Sequence, residues 1–297
     1  MIKTLATALL ACALASAARG APPEAGREKP VVYIDTDMAA EVDDPFAVVR
    51  AMVAPELNVV GLSAVGWEGP LDFATNTRAS QKMNEEVLAL LHLTDRVSHP
   101  IGALHPMRDA STPVDSPAAR DIVAKAKAMP DGRKLQVFVL GAYTNVASAL
   151  LLDPGVRDRM AVHVMGFIYD NNRLTTNESN CEGDLHAASV LLKSGVELNV
   201  MAASTLRRFQ WSKADAVARF KGKGGVHDYL VRRWESYVPN DPRRTLWDIA
   251  VFEAFLRPHL ATLTDVVHEG AKVRVWTRVD VPGMQADYWA ATAPGRR

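Results

Sequence analysis

Residues 31–49, VVYIDTDMAAEVDDPFAVV, constrain this chain more than any other stretch. An apolar run ends in a cluster of carboxylates, and a helical pattern begins straight after it. Asp35 and Asp37 are two residues apart, so on an extended strand they project from the same face. Asp43 and Asp44 follow one short loop later, with Pro45 suited to the first turn of a helix. Carboxylates forced together repel unless a proton or a cation neutralises them. A hard divalent metal bound through oxygens is the natural neutraliser. An acidic loop that caps a helix would explain any single Asp-Asp pair. The whole arrangement of strand, DxD, DD and helix points to a metal site.

Strand and helix patterns alternate along the rest of the chain. Val31–Asp35 reads as a strand and Pro45–Val53 as a helix with Phe46, Val49 and Val53 on one side. Leu57–Val65 reads as a second strand, and residues 73–93 as a long helix. Leu135–Leu140, Ala161–Met165 and Leu198–Ala202 are further apolar strands, with helices expected over Asn145–Leu152 and Leu185–Lys193. Lys213–Val238 is more polar and aromatic, and is expected to be helical and packed over one edge. Val273–Val279 and Ala286–Ala290 read as a closing hairpin around Pro282-Gly283. Repeated β-α-β units with apolar strands predict a single α/β domain, its mostly parallel central sheet flanked by helices. In such a fold chemistry collects beyond the carboxyl ends of the strands. Asp35/Asp37, Gly66-Trp67-Glu68, Gly141–Asn145 and the segment from Tyr169 to Asn180 all follow strand ends. Asp248, at a predicted helix start, is either another oxygen ligand or a helix cap.

Composition narrows the class. The chain has 297 residues, 48% of them hydrophobic, and 34 basic residues against 34 acidic ones. Neutral net charge gives no reason to expect nucleic acid or an anionic membrane as partner. Residues 1–21 carry Lys3, an apolar run from Leu5 to Ala17, and small residues at Ala15, Ala17 and Ala21. They read as a cleaved secretory signal peptide, too short to span a membrane comfortably. Residues 22–297 would then form the catalytic domain, secreted and in a bacterial setting periplasmic. The apolar run continues past Cys12, which argues against a lipoprotein anchor. Cleavage leaves Cys181 as the one cysteine, so no intrachain disulfide is expected.

Several ordered segments resemble the calcium-dependent nucleoside hydrolases of the inosine–uridine-preferring type, in a secreted branch, over roughly residues 30–290. Asp35-Thr36-Asp37 followed by Val42-Asp43-Asp44 looks like that family's N-terminal signature. VLGAYTNVASAL (Val139–Leu150) is similar to its central L-G-x-x-T-N segment, and Val164-Met165-Gly166 to the strand end that follows. Glu178-Ser179-Asn180 with Asp184 resembles its E-x-N-x-x-x-D segment, and Trp247-Asp248 sits where the family has its C-terminal metal-binding Asp. The resemblance implies a Rossmann-related fold and a Ca2+ ion held by Asp37, Asp44, Asp248 and the Thr144 carbonyl. It implies Asp37 as the base for the attacking water, and Asp43, Asn172, Glu178 and Asn180 as ribose contacts, with Met165 under the sugar. It makes Asp35 an orienting group. The implied partner is a small nucleoside or riboside, and relatives of this kind are often homodimers or homotetramers.

The residue types suit the reaction apart from the name. Cleavage of an N-ribosidic bond passes through an oxocarbenium-like state attacked by water. A carboxylate that takes the water's proton contributes about 10²–10⁴ in rate. Oxygen ligands without His or Cys fit calcium better than zinc. The chain also departs from the family pattern. Its loop from Met38 to Val42 has Ala39 where glycine is usual, a strained choice if that position needs positive φ. Trp67 falls near a common asparagine sugar contact, and Trp247 replaces a histidine that protonates the leaving base in some members. Trp67 and Trp247 would stack on a flat aglycone or serve as core aromatics. His227 is a weak candidate for the missing acid, and His163 reads as a core residue.

Two other classes share parts of this pattern. A haloacid-dehalogenase-like phosphatase also opens with strand–DxD, but expects Thr or Val where Ala39 stands and a later Asp-Asp pair. A periplasmic binding protein or degenerate relative would keep the metal and sugar pocket without turnover.

Overall fold

The alternation of apolar strands with amphipathic segments is realised as a three-layer α/β arrangement. The computed structural model describes residues 28–67 and 71–295, so the expected signal peptide lies outside the described residues. In chain order the strands are β1 (Val31–Thr36), β2 (Asn58–Ala64), β3 (Leu135–Val139), β4 (Met160–Met165), β5 (Ile168–Asp170), β6 (Arg173–Thr175), β7 (Glu197–Met201), β8 (Gln210–Ser212), β9 (Arg243–Thr245), β10 (Ala261–His268) and β11 (Ala271–Val279). The helices are α1 (Asp43–Met52), α2 (Phe73–Leu90), α3 (Pro117–Lys127), α4 (Thr144–Leu152), α5 (Ser179–Glu182), α6 (Leu185–Lys193), α7 (Lys213–Phe220), α8 (Gly225–Tyr237), α9 (Trp247–Leu256) and α10 (Val281–Ala291). Seven strands form one sheet in the order β10-β11-β7-β4-β3-β1-β2, parallel throughout except for β10 at the edge. Strands buried on both faces need apolar side chains on both, which explains runs such as Met160–Met165, buried at every position.

Two apolar layers cover the sheet. Phe46, Phe138, Phe252, Trp234 and Tyr288 anchor one, beneath α1, α8, α9 and α10. Tyr143, Val146, Val162 and Leu191 anchor the other, beneath α4 and α6. The chain leaves β1 for β2 on one side and later returns to place β3 on the other. That reversal opens a crevice at the carboxyl ends of β1 and β3, the usual ligand position in an open α/β sheet. No helix among the described residues is long and apolar enough to cross a membrane.

The C-terminus differs from the sequence expectation. Val273–Val279 does lie in a hairpin strand, but its partner precedes it: β11 pairs antiparallel with β10, Val266 opposite Val273. Ala286–Ala290 is helical and belongs to α10. Asp280 caps that helix by accepting from the Gly283 amide (3.2 Å), and Pro282 sits in its first turn, where no amide donor is needed. Pro-Gly here starts a helix instead of turning a hairpin. The segment Lys213–Val238 is helical as expected but divides into α7 and α8 around Gly222 and Gly224, both at positive φ.

Candidate active site

The site begins where β1 runs out. Asp35 lies within the strand, wholly buried, opposite Ser63 of β2. Its Oδ1 accepts from Ser63 Oγ (2.5 Å) and Asn145 Nδ2 (2.9 Å). Burial raises its pKa to about 6, opposed by those two donors. Asn145 also donates to the Ala64 carbonyl and accepts from the Ala103 amide, so it ties β1, β2 and α4 together. Asp37 lies just past the strand end and, unlike Asp35, lines the cleft. Gly141 makes room for it: a Cβ there would lie 2.7 Å from Asp37 Cγ.

Two helix N-termini complete the carboxylate cluster. Asp43 and Asp44 occupy the first turn of α1, and Asp248 the first turn of α9, where the helix dipole favours negative charge. The amide of Asp248 donates to Asp43 Oδ2 (3.2 Å), which joins the two helix starts, and Thr36 Oγ1 donates to Asp44 Oδ1 (2.5 Å). One carboxylate oxygen from each of Asp43, Asp44 and Asp248 lies within 4.8 Å of the others. Asp37 faces Asp44. Burial, then mutual repulsion, pushes the pKa values of Asp37, Asp43 and Asp248 well up. Burial raises Asp44 to about 6 against the hydroxyl of Thr36. Buried carboxylates so placed are unfavourable as bare anions, and an all-oxygen donor set of this kind fits a hard divalent cation.

Further hydrogen-bonding side chains stand at the ends of the neighbouring strands. Asn180 Nδ2 donates to the carbonyls of Leu140 (2.9 Å) and Met165 (3.1 Å), which follow or end β3 and β4. With its amide nitrogen fixed to two strand ends, Asn180 keeps its oxygen as an acceptor for a ligand hydroxyl. Glu178 caps the short α5: its Oε2 accepts from the amides of Asn180 (3.0 Å) and Cys181 (3.3 Å). Burial lifts Glu178 to about 7, the two backbone donors opposing it. Gly166, at φ +146°, passes close beneath: a Cβ there would collide with the Tyr143 hydroxyl and lie 2.9 Å from Glu178 Oε2.

Together these residues line a cleft of about 510 Å³. Asp37, Asp43, Asp44, Asp248, Met165, Glu178, Asn180, Trp67 and Trp247 all border it. Thr144 does not: it is buried at the start of α4, its hydroxyl donating to Asp184 Oδ2 (2.7 Å). Asn172 is not brought to the cleft. It is exposed at positive φ in the tight turn between β5 and β6, and its side chain accepts from the Tyr169 hydroxyl (3.1 Å). His227 also lies elsewhere, bonded to the Thr292 carbonyl (2.9 Å) and packed on Phe220. His163 is a core residue: Nε2 meets Gln136 Oε1 (2.9 Å), the ring stacks on Phe138 (4.7 Å between centroids), and burial holds it down to about 3.

Sequence reasoning missed the residues that hold the Met38–Val42 loop. Arg233 of α8 donates from Nη2 to the Ala39 and Glu41 carbonyls (2.7 Å each) and from Nε to Glu41 again (3.0 Å). Tyr237, one turn further on, donates to the Ala40 carbonyl, and the Arg233 guanidinium lies 4.3 Å from its ring centre. Arg244 grips the Glu41 carboxylate (2.7 Å). No residue of the loop has positive φ, so Ala39 carries none of the strain expected if it replaced an obligatory glycine. The readable signal was the i, i+4 pair Arg233/Tyr237, which shares one helix face.

Comparison with known proteins agrees with this geometry. Residues 32–288 match the family model described as inosine-uridine preferring nucleoside hydrolase. The chain belongs to that family and is a glycosidase of the kind that hydrolyses the N-glycosidic bond of nucleosides. It is 24% identical over 268 residues to a probable uridine nucleosidase 1 of Oryza sativa subsp. japonica, covering 78% of each chain. It is 23% identical over 274 residues to a probable uridine nucleosidase 2 of Arabidopsis thaliana, covering 80% of each. Among solved structures, a plant nucleoside hydrolase, PpNRh1, superposes with TM-score 0.72 at 18% identity, over 90% of this chain and 99% of that one. The type III effector protein XopQ, complexed with adenosine diphosphate ribose, superposes with TM-score 0.71 at 17% identity, over 91% and 95%.

Proposed function

We propose that this protein is a calcium-dependent ribonucleoside hydrolase, which releases a base and ribose, and that it works after export to the periplasm or beyond. The observation that carries this reading is the meeting of Asp37, Asp43, Asp44 and Asp248 with Glu178 and Asn180 around one cleft. Asp37, Asp44 and Asp248 would hold the ion. A bound calcium would chelate sugar hydroxyls and acidify water at the site. Asp37, beside the cluster and facing the cleft, accepts the attacking water's proton. Asp43, Glu178 and Asn180 hold ribose hydroxyls, and Met165 packs under the sugar. Trp67 and Trp247 offer flat faces to the aglycone.

No histidine is among the described residues that border the cleft, so a neutral purine that must be protonated to leave should depart slowly. The test compares inosine with p-nitrophenyl riboside, whose leaving group departs as a stable anion. The activated riboside should show the higher kcat/KM, and Trp247→His should narrow the gap. Inosine cleaved as fast as the activated riboside would mean that another group already acts as the acid.

A further inference from the structure

The cleft is acidic beyond what metal binding requires. Glu41 and Glu182 line it with the four clustered aspartates and Glu178, and no lysine, arginine or histidine is among its described lining residues. Seven carboxylates line the cleft, so a divalent ion, Arg244 on Glu41 and Arg233 near Asp43 and Asp44 would together still leave part of that negative charge unbalanced. The aromatic lining consists of Trp67, Tyr237 and Trp247. Tyr237 already carries Arg233 against its ring, which leaves the two half-buried tryptophans as the free platforms. A carboxylate-rich wall beside indole faces is the environment that attracts a flat cation.

Resting on the hydrolase reading above, we propose that this site prefers ribosides whose aglycone is a flat ring with a positive charge at the glycosylated nitrogen. N-ribosylpyridinium compounds are the class meant. The same wall refuses 5′-phosphorylated forms, because none of its described lining residues is a basic side chain that could receive a phosphate. Such an aglycone also fits the absence of an acid. When the C1′–N bond breaks, its electron pair returns to the ring nitrogen and cancels the charge, so the base leaves neutral without a proton. Water supplies the oxygen to C1′ and gives its proton to Asp37. The products are ribose, a neutral pyridine and one proton released to solvent.

The test measures ribose release from N-ribosylnicotinamide, its 5′-monophosphate, p-nitrophenyl riboside and inosine, at low and high ionic strength. N-ribosylnicotinamide should show a KM about tenfold below that of the uncharged p-nitrophenyl riboside. The gap should shrink as salt screens the field, and the 5′-monophosphate should be cleaved far more slowly than its parent. Glu41→Gln should narrow the KM gap severalfold; if that variant does not fold, the salt dependence of the wild type makes the same comparison. If p-nitrophenyl riboside is hydrolysed but N-ribosylnicotinamide has an equal or higher KM, insensitive to salt, this inference is wrong and the hydrolase reading survives. Hydrolysis of none of the four compounds overturns both.

Discussion

Asp37 and Glu178 have different surroundings, and their substitutions should separate accordingly. Asp37 lies among like charges with no backbone donor from a neighbouring element, whereas Glu178 is held by two amides at the start of α5. Asp37→Asn is expected to lower kcat by about 10²–10⁴ while substrate still binds, since it removes the proton acceptor and keeps the shape. Glu178→Gln is expected to raise KM more than it lowers kcat. Equal small effects in steady-state assays would contradict the assignment. Burial places the Glu178 titration at about 7, so its carboxylate is ionised above that pH and protonated below it. If the ionised form accepts a sugar hydroxyl, kcat/KM should fall as pH drops below about 7, and that limb should vanish in Glu178→Gln. At this scale the sequence exposed the carboxylates well, because acidic residues after a strand are conspicuous. Asn172 was misleading: an exposed Asn-Asn pair at positive φ forms the turn between β5 and β6 instead of facing the cleft.

The loop from Met38 to Val42 sets the distance between Asp37 and the Asp43/Asp44 pair, yet it has few hydrogen bonds of its own. Ala40 closes one turn on the Asp37 carbonyl (2.6 Å), and Ala39 meets Ser80 of α2 (3.3 Å). The carbonyls of Ala39, Ala40 and Glu41 depend on α8 through Arg233 and Tyr237. Arg233→Ala should therefore weaken metal binding roughly tenfold or more, because bonds from a charged donor contribute about 1.5–3 kcal/mol. Calcium titration followed by calorimetry reads this directly. Partial recovery on adding free guanidinium would separate a positioning role from general unfolding, and unchanged affinity in Arg233→Ala would refute the role. Such a clamp was not legible from the local sequence, since Ala39 and Arg233 meet only after nearly two hundred residues of folding. The α10 helix shows a different limit. Val281-Pro282-Gly283 carries turn residues, and Asp280 as a cap decides the outcome in favour of a helix.

Over the whole molecule, the order β2-β1-β3 opens one crevice, and residues as far apart in the chain as Asp37 and Asp248 meet in it. The strand pattern announced most of this sheet, because strands buried on both faces read as continuous apolar runs. The edge strand β10 escaped notice since five of its eight positions are exposed. Helix α3, with Ser116 as cap and Pro117 at its first turn, carried readable signals that the apolar spacing alone did not reveal. The buried His163 gives the fold an acid weakness. Its folded pKa of about 3 lies below the unfolded value, so its neutral form favours folding fully above about pH 6.5. That contribution is lost progressively as pH falls towards 3. His163→Phe, which keeps the stack on Phe138 and the edge contact with Phe255, should flatten the acid limb of thermal stability measured over that range. An unchanged limb would assign the weakness to other groups. Calcium itself should raise the melting temperature by roughly 5 °C or more at a hundredfold excess over its Kd, because the bound ion relieves the mutual repulsion of the cluster.

The central claim is that the carboxylate cluster holds a metal used to cleave ribosides, and one assay tests it most directly. Ribose release from p-nitrophenyl riboside and a nucleoside panel is followed with wild-type protein, first stripped by chelator and then restored with calcium. Negligible release after stripping, recovery with calcium, and loss in Asp37→Asn under the same conditions are the predicted results. Full activity in the stripped protein, or release undiminished in Asp37→Asn, would contradict the account.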